Sequence, residues 1–193
     1  MQIIVRITTD DLLRLGACRR CNITKTFIAA HPDGVWHVDN WTLKESLYVA
    51  KEWPKFARGL IAEGLIPPVT AYGANLYQYD LCEAVLSGAT LDSVTLVGAN
   101  LERADLTLAN LFRADLKRAN LHRVQLDGAD LRFANLDDAV LTKALLGGTN
   151  LSGAYMKTAK LDHAYLRYAR YDKNTVFPDG FDPAARGMVP NWG

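Results

Sequence analysis

A leucine, or a residue standing in for one, recurs at every fifth position from Leu76 to Tyr171. Eighteen of the twenty positions are Leu, the others being Met156 and Tyr171, so the run keeps one phase throughout. Two residues before each lies a second apolar series, Ala at sixteen of twenty, with Tyr79, Val94, Val124 and Thr149 as the departures. Neither ordinary element accommodates this period. Five residues advance an α-helical side chain by roughly 140°, at about 100° per residue, which would smear the leucines around the axis. On a flat strand an odd step sends alternate leucines to opposite faces, and the chain supplies no cover for both. What remains is a chain that winds, each five-residue unit making one side of a coil and returning its Leu and Ala to a shared interior. Ala stands where that interior is too narrow for more, and each buried Leu contributes roughly 1.5–3 kcal/mol.

The interior is therefore assigned to Leu76, Leu81, Leu86, Leu91, Leu96, Leu101, Leu106, Leu111, Leu116, Leu121, Leu126, Leu131, Leu136, Leu141, Leu146, Leu151, Met156, Leu161 and Leu166. Asn or Asp precedes many of these leucines, and such short polar side chains bond nearby backbone groups at bends. The units Ala99-Asn100-Leu101-Glu102-Arg103, Ala104-Asp105-Leu106, Ala109-Asn110-Leu111, Ala114-Asp115-Leu116 and Ala119-Asn120-Leu121 follow one another without a gap. In them the sequence resembles the pentapeptide-repeat family, whose motif is A(D/N)LXX, over about a hundred of the 193 residues. The resemblance implies an all-β solenoid, a right-handed quadrilateral β-helix with four units per coil and about five coils. Coils stacked at the spacing of hydrogen-bonded strands, about 4.8 Å, would make a rod on the order of 24 Å long.

Three regions are expected: an N-terminal helical or α/β module over residues 1–70, the β-helix over 71–173, and a C-terminal cap or tail over 174–193. Met1–Ile7 is rich in Ile and Val and reads as a short strand. Thr8-Thr9-Asp10-Asp11 provides an N-cap with acidic first-turn residues for a helix ending at Gly16. Thr42-Leu43-Lys44-Glu45 is a capping box opening a helix that carries Leu47, Val49 and Trp53. A solenoid terminus exposes both a sheet edge and an apolar interior, so this module is expected to cap one end. At the other end Tyr155, Tyr165, Tyr168 and Tyr171 crowd the last units. They are expected to plug the final coil or, as in topoisomerase-directed members of the family, to form a homodimer surface through the C-terminal coil.

Charge excludes little but ranks the alternatives. The net charge is +1, and residues 71–173 hold twelve basic and twelve acidic side chains, so the rod is neutral. Three cysteines and no long apolar run within residues 1–30 predict a reducing, cytoplasmic setting with neither signal peptide nor transmembrane helix. Cys18-Arg19-Arg20-Cys21 with His31 and His37 places four borderline ligands within twenty residues, the material of a zinc site. The nine-residue gap is shorter than usual finger spacing, and half-buried cysteines are the simpler reading. No nucleophile–base set, metalloprotease motif or phosphate loop surrounds the histidines, so no enzyme and no cofactor are expected.

Positions twenty apart should stack, and the register defines two outward candidates. Glu83, Arg103, Arg123, Lys143 and His163 fall in one column, a cation ladder that Glu102 and Asp162 are placed to neutralise. Phe112 and Arg113 fall beneath Arg132 and Phe133, and paired aromatic and arginine side chains are the composition of a binding hot spot. Packing against the tail would explain the same aromatics.

Three functions follow. The favoured one is a non-catalytic scaffold that binds a protein partner through these faces. The second, implied by the quinolone-protection members of the family, is a DNA mimic that binds DNA gyrase or topoisomerase IV. Mimicry needs a continuous negative surface in place of phosphates, and this rod is neutral. The third is direct nucleic-acid binding through Arg103, Arg123 and Lys143, with steep salt dependence.

Overall fold

The computed structural model describes residues 4–8, 35–39, Leu47, Ile61 and 68–192. The chain divides into two units, Met1–Pro68 and Val69–Gly193. In the first, strand β1 (Ile4–Thr8) runs antiparallel to β2 (Val35–Asp39), with Ile4 opposite Asp39 and Thr8 opposite Val35. Leu47 is helical and buried, and Ile61 is helical. The expected N-terminal strand is present, described over Ile4–Thr8, and β2 is its partner. The expected helix from Thr9 to Gly16 lies outside the described residues.

The second unit is a right-handed quadrilateral β-helix. Thr70, Thr90, Asn110, Asp130, Asn150 and Arg170 pair in succession as parallel bridges, each twenty residues from the last, which makes five coils. Three further columns of bridges close the square section.

One hydrogen-bond pattern generates it all. The Leu101 N–H donates to the Asn120 carbonyl at 2.8 Å and the Arg103 N–H to that of His122 at 2.9 Å, both on the coil above. The Asp105 N–H donates to the Ala84 carbonyl on the coil below at 2.9 Å. Between them the Ala104 N–H returns to the Leu101 carbonyl at 3.1 Å, a tight turn at each corner. The Asn or Asp before the leucine tightens that turn, as where Asn110 Oδ1 accepts from the Phe112 N–H at 3.0 Å.

Such a corner needs left-handed backbone at its third residue. Nineteen of the twenty turn residues from Gly73 to Tyr168 have φ between 53° and 70°, thirteen of them not glycine. L-residues there cost roughly 1–2 kcal/mol each, so the ladder and the interior must outweigh strain at almost every corner. Every leucine of the series, with Met156, is buried, and those of the middle coils are sealed from solvent. Val94, Val124 and Thr149 are buried in the alanine series, the Thr149 hydroxyl donating to the Leu126 carbonyl at 2.7 Å. Tyr79 instead stays exposed on the first coil, where its ring exceeds the space that an alanine fills.

After Asp172 the period breaks. Tyr155 pairs with Val176, a step of twenty-one, and strand β3 (Arg170–Tyr171) pairs in parallel with β4 (Val189–Pro190). The plug differs from the expected one. Tyr155, Tyr165 and Tyr168 are exposed, because they occupy bridge and turn positions that the register directs outward. The rings that cluster at this end are Tyr171, Phe177, Phe181 and Trp192, with Phe177 stacked on Phe181 at 5.0 Å and Tyr171 edge-on to Phe177 and Trp192. Met188 is buried among the residues that follow.

Candidate functional site

The twenty-residue step brings Phe112, Arg113, Arg132 and Phe133 together on one face. Phe112 and Phe133 meet edge to face with ring centroids 5.7 Å apart. The guanidinium carbons of Arg113 and Arg132 lie 5.0 Å and 5.3 Å from the Phe112 centroid. Aromatic pairs of this geometry and cations over ring faces each contribute about 0.5–1.5 kcal/mol beyond area burial. Neither aromatic touches an aromatic of the C-terminal segment among the described residues, so the packing explanation has no support in the ring contacts.

The two phenylalanines differ, however. Phe112 is half-buried, enclosed by the cations, while Phe133 is 52% exposed and reaches the coil above. Its ring occupies the space over Gly153, where a Cβ would come within 2.6 Å of it. Glycine at 153 is therefore part of the face, since the Phe133 ring takes the space a side chain there would need.

Arg132 is held in place by a partner two residues earlier. Its Nε and Nη2 donate to Asp130 Oδ1 and Oδ2 at 2.9 and 2.7 Å. Burial pushes the Asp130 carboxyl up, but the hydrogen bonds and charge of Arg132 outweigh it and hold the group below its ordinary value. Arg132 is thereby fixed and electrically matched, whereas Arg113 is exposed and forms no ion pair among the described residues. The face thus offers one fixed and one open guanidinium around a pair of rings.

The cation column has the expected register and a different electrostatic balance. Glu83, Arg103, Arg123, Lys143 and His163 all occupy the left-handed turn position, with φ from 56° to 60°, and all are exposed. Arg103 Nη1 lies 3.3 Å from Glu83 Oε1 and its Nε 3.9 Å from Glu102 Oε1, so the lowest cation is neutralised. Arg123 and Lys143 form no ion pair among the described residues, Asp162 included. Beside the column Asn120 donates to Asn100 at 3.1 Å and Asn100 to Asp80 at 3.0 Å, a side-chain ladder across three coils that ends at Val140.

Cys18, Cys21 and His31 lie outside the described residues, and His37 is placed only as a member of β2. Cys82 is half-buried, and its thiol is pushed up first by burial and then by Glu83, Glu102 and Asp80, which disfavours the nucleophilic thiolate. Two structural residues escaped the sequence reading, the Asp130 clamp and Gly153. Both sit at predictable register positions relative to Arg132 and Phe133.

The family profile for pentapeptide repeats matches in 8 copies, over residues 72–107, 104–142 and 134–170, just over half of the chain. Among solved structures the fold is similar to Rfr23, a pentapeptide repeat protein from the cyanobacterium Cyanothece 51142. The two are 25% identical, with 70% of this chain and 99% of that one covered and a TM-score of 0.52. HetL from Nostoc sp. strain PCC 7120, involved in heterocyst differentiation regulation, is 28% identical over 64% of this chain and 60% of its own, with a TM-score of 0.33. QnrB1, a plasmid-mediated fluoroquinolone resistance protein, is 18% identical over 64% of this chain and 73% of its own, with a TM-score of 0.37. No curated protein matches the sequence. With its repeats in unbroken phase and their hydrogen-bond pattern closed coil on coil, this chain belongs to the pentapeptide-repeat family.

Proposed function

We propose that the protein is a non-catalytic scaffold whose rigid rod presents the Phe112–Phe133 face to a protein partner. The observation that carries this reading is the convergence of two rings and two guanidiniums at one spot on the outer surface. Aromatic and arginine side chains in such clusters supply most of the energy at protein interfaces. The ladder beneath them is already formed, so binding costs little ordering. Capture with wild type beside a Phe112→Ala, Phe133→Ala variant tests the reading. A partner retained by the wild type and lost by an equally stable variant supports it; identical captures sink it.

Inhibition of DNA gyrase by mimicry of DNA ranks second, because Arg103, Arg123 and Lys143 occupy a column where a mimic needs negative charge. A supercoiling assay discriminates, the expected result being no inhibition at submicromolar protein. The same column would hold nucleic acid only weakly, since one of its three firm cations is already paired.

A further inference from the structure

The last coil is finished on two sides and open between them. Met156 donates to the Val176 carbonyl and Tyr168 to that of Gly187, while Val176 and Val189 donate to the carbonyls of Ala154 and Ala169, at 2.8–2.9 Å. Between those rungs the pattern stops. One coil below, Leu141, Lys143 and Leu146 give their N–H groups to Lys160, Asp162 and Tyr165, and the Ala139 and Ala144 carbonyls accept from Lys160 and Tyr165. The equivalent donors on the last coil, the Leu161, His163 and Leu166 N–H groups, and the equivalent acceptors, the Ala159 and Ala164 carbonyls, have no backbone partner among the described residues.

The chain that should have supplied those partners bulges away. Residues 178–186 turn on themselves, Phe181 donating to the Pro178 carbonyl, Met188 to that of Pro183, and Asp182 Oδ1 accepting from the Ala184 and Ala185 N–H groups. An open cleft of about 510 Å³ remains between the bulge and Ala159–Asp162, within the usual range of ligand sites. Exposure follows the same boundary: Ala154 and Ala169, under the finished rungs, are sealed, whereas Ala159 and Ala164 are 7% exposed.

We infer that this cleft is a second binding site, which takes a peptide segment of a partner protein, bent once where the coil turns between Leu161 and Ala164, as the missing rung. Three donors and two acceptors spaced as on the coils below select main chain, and the addition of a segment to an open sheet edge is an established way of binding peptides. The alanine at 164 and the leucine at 161 admit a small or branched apolar side chain inward. Lys160 and Arg186 on one hand, and Asp162, Asp179 and Asp182 on the other, give the mouth mixed charge, so the backbone more than net charge decides what enters. The overhang of residues 178–186 admits one strand. It obstructs a second copy of this same edge, which lies beneath an overhang of its own.

The test uses the full-length chain and a fluorescein-labelled, end-capped peptide copying Ala159–Tyr165, the segment that fills the same register on the coil below. Fluorescence polarisation should show saturable binding, and amide exchange should slow at Leu161 and His163. Ala185→Trp, which fills the cleft, should weaken binding at least tenfold with an unchanged melting curve. An ester in place of the peptide's Lys amide, which removes the donor to the Ala159 carbonyl, should weaken it about fivefold with the protein unaltered. Phe112→Ala, Phe133→Ala should leave it unchanged, which separates this site from the aromatic face. Equal binding by Ala185→Trp and by the ester, or protection confined to other amides, overturns the inference. So does a sedimentation mass of a dimer that Ala185→Trp dissociates, since the occupant would then be a second copy.

Discussion

The middle coils and the last coil obey one sequence rule and close by different means. From Leu91 to Leu146 each backbone N–H at a leucine finds the carbonyl nineteen residues on, and the side chains only tighten corners. On the last coil side chains take over part of that work. The Gly153 N–H goes to Asp172 Oδ1 at 2.8 Å, the Asp138 N–H to the Thr158 hydroxyl above it at 2.9 Å, and the Leu161, His163 and Leu166 N–H groups have no backbone partner among the described residues. A repeat is self-sufficient only while another repeat lies above it. Where the period ends, each open backbone group must be met singly or left for a ligand.

The comparison is broken most directly by a charge placed at equivalent interior positions. Leu116→Lys puts an unpaired ammonium into a sealed interior and should abolish cooperative folding of the rod, seen as loss of the circular dichroism melting transition. Leu161→Lys should cost far less, because its stem can leave through the open cleft. Equal losses would mean that the last coil is as closed as the middle ones. A smaller effect is expected at the junction of the two regions. Gly153→Val forces a Cβ into the Phe133 ring and a branched residue into left-handed backbone, a loss of about 2–4 kcal/mol by thermal denaturation. Phe133→Ala in the same chain should recover the part that is due to the ring.

The interior was legible because a step of five admits a single geometry, and Leu101 through Leu116 therefore carried their burial in their spacing. The neighbours Phe112, Arg113, Arg132 and Phe133 were legible for the same reason, once four units make a coil. What the register did not reveal was conformation within a position. That Phe112 folds under two guanidiniums while Phe133 lies over Gly153 depends on packing between unlike side chains. The tyrosines show the cost of reading bulk without register: Tyr155 and Tyr165 hold bridge positions outside the Leu and Ala interior series, and both rings stay exposed there. Residues 174–192 carry no period, so neither the cluster of Tyr171 and Phe177 nor the cleft beside Leu161 could be placed. The pairing of β2 with β1 was overlooked although Val35-Trp36-His37-Val38-Asp39 is rich in strand-forming residues.

Acid should separate the two regions further. The Asp172 carboxyl is raised by burial but lowered more by hydrogen bonds from the Gly153 N–H, the Thr175 hydroxyl and Asn174, so it lies below its ordinary value. A group lowered in the folded state contributes stability that is complete above its unfolded pKa, about 4, and is lost as pH falls through the lowered value. Asp130 behaves alike through Arg132. The melting temperature should therefore fall below about pH 4, and its excess over that of Asp172→Asn should shrink across the same interval. An excess that stays constant down to pH 2 would show that the anchor does not depend on charge.

The smallest effect tests the one corner that departs from left-handed backbone. Thr158 is absent from the run of positive φ angles, and a β-branched residue is the kind that pays most to enter it. Its hydroxyl compensates by accepting from the Asp138 N–H at 2.9 Å and donating to Asp137 Oδ1 at 3.1 Å, while its N–H goes to the same oxygen at 3.3 Å. Thr158→Val keeps the branching and removes the hydroxyl, leaving the Asp138 N–H to water, so it should lose about 1 kcal/mol. Thr158→Gly removes both the hydroxyl and the barrier, and the corner can then adopt the backbone rung used by its neighbours. Its melting temperature should stay within about 2 °C of wild type, with slowed exchange at the Asp138 amide as the sign of the restored bond. If glycine costs as much as valine, the side-chain bond is a requirement of the last coil and not a substitute for the ladder below it.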